Sequence, residues 1–109
     1  MTEKSANHLG KFNLGQIVLH QRHQYRGAVY DVDPQFMLPE EWYEKVATTR
    51  PDKNQPWYKV LVDGGESEAY VAEQHLIALP DGDPIEHPAL EDIFSGFEPG
   101  RYHPRHVMN

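Results

Sequence analysis

The polar residues best suited to chemistry lie together in the stretch His20-Gln21-Arg22-His23-Gln24-Tyr25-Arg26. Its arginines could hold phosphate oxygens and its tyrosine could stack on a base, as in proteins that bind nucleic acids. The alternative is a solvated hairpin loop whose tyrosine folds onto the edge of a small domain. The candidate nucleic-acid-binding residues are His20, Arg22, His23, Tyr25, Arg26 and, from a later strand, Lys59. Because they carry few permanent charges, we expect any affinity for DNA to depend weakly on salt.

Two histidine pairs, His20-x-x-His23 and His103-x-x-His106, raise the question of a metal site. Residues three apart are held on one face of a helix, but not in a loop or coil. The chain has no cysteine, and no acidic residue stands at a fixed companion spacing. We therefore expect no metal and no other cofactor.

The spacing of the acidic and glycine residues argues against catalysis. Asp31 and Asp33 would share one face of a strand, but Asp33-Pro34 is typical of a turn. Gly64-Gly65 lacks the Lys and Ser/Thr that follow in a phosphate-binding loop. No serine has an obvious base partner. We expect that the protein is not an enzyme.

Aromatic residues offer a second kind of surface. Tyr58 is expected in the core, and Trp42 is expected to pack a helix onto the domain. Tyr43 and Trp57 remain as candidates for an exposed aromatic patch, the usual anchor of a protein-binding surface. The alternative for Trp57 is that it only covers the open end of a barrel.

These candidates must be positioned by a sheet, and its clearest strand is residues 57–62. Alternation places Tyr58, Val60 and Val62 on one face and Trp57 and Leu61 on the other, so both faces have apolar surface to bury. An Asp-Gly-Gly turn follows at residues 63–65, and residues 68–72 return as the partner strand. A strand that is apolar on both faces is expected in the interior of the sheet.

The remaining elements are short. Residues 17–20 and 28–32 predict an antiparallel hairpin, and residues 76–79 a closing strand that ends at Pro80. Residues 38–47 predict an inserted helix, since Leu38, Trp42 and Val46 recur at helical spacing. Five strands with one short inserted helix predict an all-β fold, namely a small closed barrel.

Composition divides the 109 residues into three parts: a loose N-terminus at 1–10, one domain at 11–80, and an acidic, proline-rich tail at 81–109. Residues 81–100 hold six of the 17 acidic residues and no Lys or Arg, so most of the net charge of −7 belongs to the tail. The prolines predict that the tail does not extend the sheet. It either docks through Ile93, Phe94 and Phe97 or is partly disordered.

The sequence also bears on location. It has no apolar run near the ~20 residues that a membrane helix needs, and its N-terminus lacks the apolar stretch of a secretory signal. The absence of cysteine is compatible with a reducing compartment. We expect a cytoplasmic protein that does not bind membranes.

Four groups of residues, in this order and spacing, resemble the heat shock protein HspQ family, which is also called the YccV-like or hemimethylated DNA-binding domain. They are Phe12-x-x-Gly15-x-x-Val18-x-His20, Tyr25-x-Gly27-x-Val29-x-Asp31-x-Asp33-Pro34, Pro56-Trp57-Tyr58-x-Val60-Leu61-Val62 and Tyr70-Val71-Ala72-Glu73-x-x-Leu76. The resemblance covers residues 11–80 together with His87-Pro88.

This resemblance implies an SH3-like five-stranded barrel without enzymatic activity. It also implies one of two functions. The first is a heat-shock adaptor, or specificity factor, that modulates the degradation of substrates by the ATP-dependent Lon protease. The second is a module that prefers hemimethylated DNA. Self-association is a further expectation, because the apolar strand at residues 76–79 could pair across a dimer axis.

Overall fold

The computed structural model describes residues 10–47 and 49–105, which form two antiparallel sheets and short helical segments. The main sheet contains β1 (Ile17–His20), β2 (Arg26–Asp33), β3 (Trp57–Val62), β4 (Glu68–Ala72) and β5 (Leu76–Ala78). The second sheet pairs β6 (Phe94–Glu98) with β7 (Arg101–Pro104). The helical segments are α1 (Glu40–Val46), a 3-10 turn (Glu73–His75) and α2 (Leu90–Ile93). The predicted loose N-terminus, apart from Gly10, and His106 lie outside the described residues.

Strand β3 is an interior strand, as its apolar alternation predicts. The strand order is β4-β3-β2-β1-β5, so β3 is hydrogen-bonded on both sides. Tyr58 and Val60 contribute to one buried cluster, whereas Leu61 and Trp57 belong to clusters on the opposite face. The turn after β3 is closed by the Val62 N–H, which donates to the Ser67 carbonyl at 3.0 Å. Burial on both faces therefore explains why this strand is interior.

The all-β class with one short inserted helix is confirmed, but closure into a barrel is not observed. Among the described residues, β4 and β5 are the two edges of the main sheet and do not pair with each other. A single 3-10 turn connects them, and its His75 carbonyl accepts a hydrogen bond from the Gln21 N–H at 2.8 Å. This turn leads the chain from β4 to β5, but no strand hydrogen bonds join the two strands. A gap therefore separates the two edges of the sheet.

The inserted helix is present, and Trp42 packs it onto the domain as predicted, but the predicted stripe is wrong at its far end. Tyr43 is the buried residue of α1, while Val46 is 54% exposed. The Tyr43 hydroxyl donates to the Pro51 carbonyl at 2.8 Å, which fastens the helix to the segment that returns to β3. Within the described part of the chain, no helix is long and apolar enough to cross a membrane.

The tail docks on the outer face of the sheet as a hairpin. Phe94 and Tyr102 are buried against Ile17, Ala28 and Leu61. Ile93 and Phe97 pack at the margin of the same cluster. Strands β6 and β7 form their own sheet and touch the first through the bridge between Gln16 and Arg101. The tail thus covers apolar surface of the main sheet without extending it, as its prolines predict.

Candidate binding groove along strand β4

A groove with a volume of about 490 Å³ runs along strand β4, and all five residues of that strand line it. One wall comes from α1 and the segment after it: Trp42, Val46, Ala47, Thr49 and Pro51. The other wall comes from the β1–β2 loop and the 3-10 turn: His20, Arg22, His23, Tyr25 and His75. Because His20 pairs with Leu76 of β5, this β4 groove lies at the gap between the two edges of the sheet.

The backbone of β4 presents unpaired groups at this edge. The Val62 N–H donates to the Ser67 carbonyl, and the Glu73 N–H donates to the Pro56 carbonyl. Since hydrogen bonds alternate along an antiparallel pair, the backbone groups of Ala69 and Val71 also face β3, and those of Glu68, Tyr70 and Ala72 face outward. In the described part of the chain the outward groups of Glu68 and Tyr70 have no backbone partner. Ala72 is 1% exposed, and its carbonyl accepts the first hydrogen bond of the 3-10 turn that follows, so only its N–H is left without a backbone partner.

Three histidines gather at the end of the groove nearest Ala72. His20 is 6% exposed, and its ring centroid lies 4.5 Å from that of His23 and 5.5 Å from that of His75. His20 Nδ1 accepts hydrogen bonds from the backbone N–H groups of Arg22 and His23, each at 3.1 Å. In the neutral ring the proton is therefore on Nε2, which has no hydrogen-bond partner among the described residues.

The electrostatics of this cluster favour the neutral forms of His20 and His75. Burial, followed by the neighbouring His23, His75 and Arg22, lowers the pKa of His20 to about 4. The pKa of His75 is also lowered, first by burial and then by Arg22 and His23. His75 Nε2 lies 3.0 Å from Thr49 Oγ1, so this ring links the two walls of the groove. No group of three or more His, Asp or Glu side chains is arranged to hold a metal ion within residues 10–47 and 49–105.

A family model described as "Hemimethylated DNA-binding protein YccV like" matches residues 10–101 of the chain. The chain belongs to this YccV-like family. The match confirms the family that the sequence resembles, and it extends past residue 80 through strand β6 of the tail. The matched residues therefore include both the β1–β2 loop and the β4 edge.

Five of the six candidate nucleic-acid-binding residues line the β4 groove of this YccV-like chain: His20, Arg22, His23, Tyr25 and Lys59. Arg22 and His23 are exposed, while Tyr25 is half-buried with its ring 5.1 Å from that of His20. Lys59 Nζ lies 3.9 Å from Asp31 Oδ2, a distant ion pair. The loop therefore combines one exposed arginine with a tyrosine folded onto the domain.

Arg26 does not join this group. Its guanidinium donates to Asp63 Oδ2 at 3.0 Å, to the Asp83 carbonyl at 2.9 Å and to the Pro84 carbonyl at 3.2 Å. These partners lie 37 to 58 residues further along the chain. The expectation that Arg26 is free for phosphate is wrong, because its donors are already used to hold the tail.

The prediction of an exposed aromatic patch is wrong for both of its residues. Tyr43 is 6% exposed and Trp57 is 1% exposed. Their rings are joined by Phe36, Trp42 and Tyr70 in one cluster, in which Trp57 and Tyr70 stack with centroids 5.3 Å apart. Burying these large rings holds the α1 segment against β3 and β4. The aromatic residues thus build one wall of the groove instead of an exposed patch.

Sequence patterns did not indicate Glu68, Tyr70, Ala72 or His75 as site residues. Alternation within β4 shows that it is a strand, but it does not show that the strand is an edge. The role of His75 depends on its stacking with His20, a residue 55 positions earlier in the chain.

Proposed function

We propose that this YccV-like chain is a non-enzymatic, cytoplasmic adaptor that modulates the degradation of protein substrates by an ATP-dependent, Lon-type protease. The observation that carries the proposal is the unpaired edge of β4 at the base of a groove. An exposed sheet edge binds extended protein segments through their main chain, which suits a factor that handles varied substrates. The resemblance to the HspQ family implies that the substrates bound in this way are degraded by a protease.

Burial and charge support protein binding over binding of phosphate. Apolar or aromatic side chains of Trp42, Val46 and Trp57 line the groove. The chain has a net charge of −7, most of it in the tail, so its overall charge does not attract a nucleic-acid backbone. One of the two loop arginines, Arg26, is already engaged within the domain.

The test is the rate at which a Lon-type protease degrades a substrate with and without this chain. We expect stimulation by the wild type and its loss in Val46→Glu, which puts a charge into the groove wall. Met37→Glu is the matched control, because Met37 is 61% exposed and lies outside the groove. Degradation rates that stay the same across several substrates would contradict the proposal.

A second candidate function is binding to hemimethylated DNA, which the family description favours. Arg22 and His23 are exposed in the β1–β2 loop, where they could contact phosphates. Filter binding to methylated, hemimethylated and unmethylated duplexes at two salt concentrations tests this function. A preference for the hemimethylated duplex that Arg22→Gln weakens and Lys45→Gln leaves unchanged would support it. Equal binding to all three, abolished by salt, would show only charge attraction.

Self-association stays a prediction. Strand β5 is an edge of the main sheet, and Ile77 on it is exposed. Sedimentation of the wild type and of Ile77→Glu tests whether this edge pairs between copies.

A further inference from the structure

The β4 groove combines an unpaired strand edge with a buried, unpaired donor at one end. We propose that it binds an extended peptide segment as an additional strand on β4, with a carboxylate of that segment held by His20 and Arg22. This inference rests on the proposed protein-binding function and specifies the chemistry of the ligand.

The strand edge defines the shape of the ligand. The outward N–H and C=O groups of Glu68 and Tyr70, together with the outward N–H of Ala72, recur at every second residue, which is the spacing that a neighbouring strand requires. Five residues of strand correspond to roughly 16 Å. A segment of about six residues in extended conformation therefore matches the length of the edge.

The histidine end defines the charge of the ligand. His20 is 6% exposed and lines the groove, and its Nδ1 is occupied by two backbone donors. Its Nε2–H is left as a donor, and a buried donor without a partner is energetically unfavourable. Arg22 adds a permanent positive charge beside it, and no described carboxylate lies within ion-pair distance of Arg22. A carboxylate is the acceptor that satisfies both groups.

The opposite end of the groove disfavours a second acidic residue. Glu68 lies there, and its Oε1 accepts a hydrogen bond from the Tyr30 hydroxyl at 2.5 Å. A ligand carboxylate at this end would face a like charge, whereas one at the histidine end would not. Lys59 also lines the groove, but its Nζ lies 3.9 Å from Asp31 Oδ2 and so already has a carboxylate beside it. The charge pattern therefore places the acidic residue of the ligand beside His20 and leaves the rest of the segment apolar or neutral.

The probes are two six-residue peptides, acetyl-Asp-Val-Thr-Val-Thr-Val-amide and acetyl-Val-Thr-Val-Thr-Val-Asp-amide. Asp is the first residue in one and the last in the other, so Asp reaches the histidines when the two peptides run in opposite directions along β4. The first readout is amide hydrogen exchange. We expect at least one peptide to slow exchange at Tyr70 and Ala72 by tenfold or more. Exchange at Ala69 and Val71 should change little, because these amides already bond to β3. A peptide N-methylated on the alternate residues whose N–H groups would face β4 should not protect Tyr70 and Ala72.

The second readout is the affinity difference between each Asp peptide and its Asn counterpart. We expect the Asp peptide that binds to do so at least fivefold more tightly. His20→Asn keeps an acceptor for the loop amides but lacks the Nε2 donor, whereas His20→Gln keeps a donor near the Nε2 position. The Asp-over-Asn preference should fall in His20→Asn and Arg22→Gln and be retained better in His20→Gln. Thermal melts check that the variants fold. Replacing Asp by Asn in the peptide leaves the protein unchanged, so that comparison does not depend on how well a variant folds.

Absence of added protection at millimolar peptide would overturn the strand-addition model, and equal affinity for Asp and Asn peptides would overturn the carboxylate site. These failures are separable from failure of the proposed function. Strand addition without any change in protease rate would refute the adaptor role alone. Protease stimulation without protection of the β4 amides would refute this inference alone.

Discussion

Arg26 and Asp63 form an ion pair, with Nη2 3.0 Å from Oδ2, that joins the start of β2 to the turn after β3. The same guanidinium donates to the carbonyls of Asp83 and Pro84, while Asp63 Oδ1 accepts from the Glu86 N–H at 2.8 Å. The pair therefore anchors the start of the tail to the sheet. This is a structural role for an arginine whose position in a polar loop suggests phosphate binding.

Arg26→Gln should lower the free energy of unfolding by about 1–2 kcal/mol, since three charge-assisted hydrogen bonds are lost at a site that is about 30% exposed. Urea denaturation measures the change. Arg22→Gln is the control and should change stability by less than about 0.5 kcal/mol. Equal losses in the two variants would contradict the anchoring role.

The Tyr58 hydroxyl links the main core to the N-terminal segment. It donates to Glu73 Oε2 at 2.6 Å and accepts from the Phe12 N–H at 3.2 Å, and burial together with Glu73 raises its pKa. Tyr58→Phe leaves the Phe12 amide unpaired and should cost about 1–3 kcal/mol in urea denaturation. Tyr30→Phe also removes a bond to a carboxylate, but an exposed one, so its cost should be smaller. A larger loss in Tyr30→Phe would argue against this ranking.

His20 makes stability depend on pH. Its pKa falls from 6.5 to about 4 on folding, so between these values the unfolded chain binds a proton that the folded chain does not. The contribution of His20 to the free energy of unfolding is therefore fully present above pH 6.5 and decreases as the pH falls towards 4. The groups that face the ring are His23, Arg22 and Tyr25 from the β1–β2 loop and His75 from the 3-10 turn.

The His20 contribution should amount to about 2 kcal/mol between pH 7.5 and pH 5. Comparing the free energies of unfolding of wild type and His20→Asn at these two pH values isolates it. We expect a smaller pH dependence in His20→Asn. The same slope in both proteins would show that His20 titrates normally in the folded state.

Gly15 allows the tail hairpin to approach the sheet. It has φ +88°, its carbonyl accepts from the Tyr102 N–H at 2.7 Å, and an added Cβ would overlap the Tyr102 carbonyl. Gly15→Ala should cost at least about 2 kcal/mol, because both the backbone conformation and the contact resist a side chain. Gly65→Ala, where nothing lies near the added Cβ, should be nearly neutral. Thermal unfolding of both variants measures the difference, and similar melting temperatures would contradict it.

Local patterns in the chain determined the positions of the elements and the buried faces of the central strand. Alternation in residues 57–62 predicts β3 and its two apolar faces, and the Asp-Gly-Gly turn predicts its pairing with β4. Proline at position 39 and the acidic residues after it predict a helix there, and α1 begins at Glu40. These signals are readable because backbone periodicity and turn conformation depend on neighbouring residues.

Only the tertiary structure decided which groups are left over for binding. Whether Arg26 is free depends on Asp63 and Asp83, whether Trp57 is exposed depends on Phe36 and Tyr70, and whether β4 is an edge depends on the path of the turn to β5. All three are set by contacts between residues far apart in sequence, and a local pattern carries no information about which distant surface will cover it. The sequence alone thus determined an all-β domain with a polar loop, while folding decided that the loop borders an open strand edge.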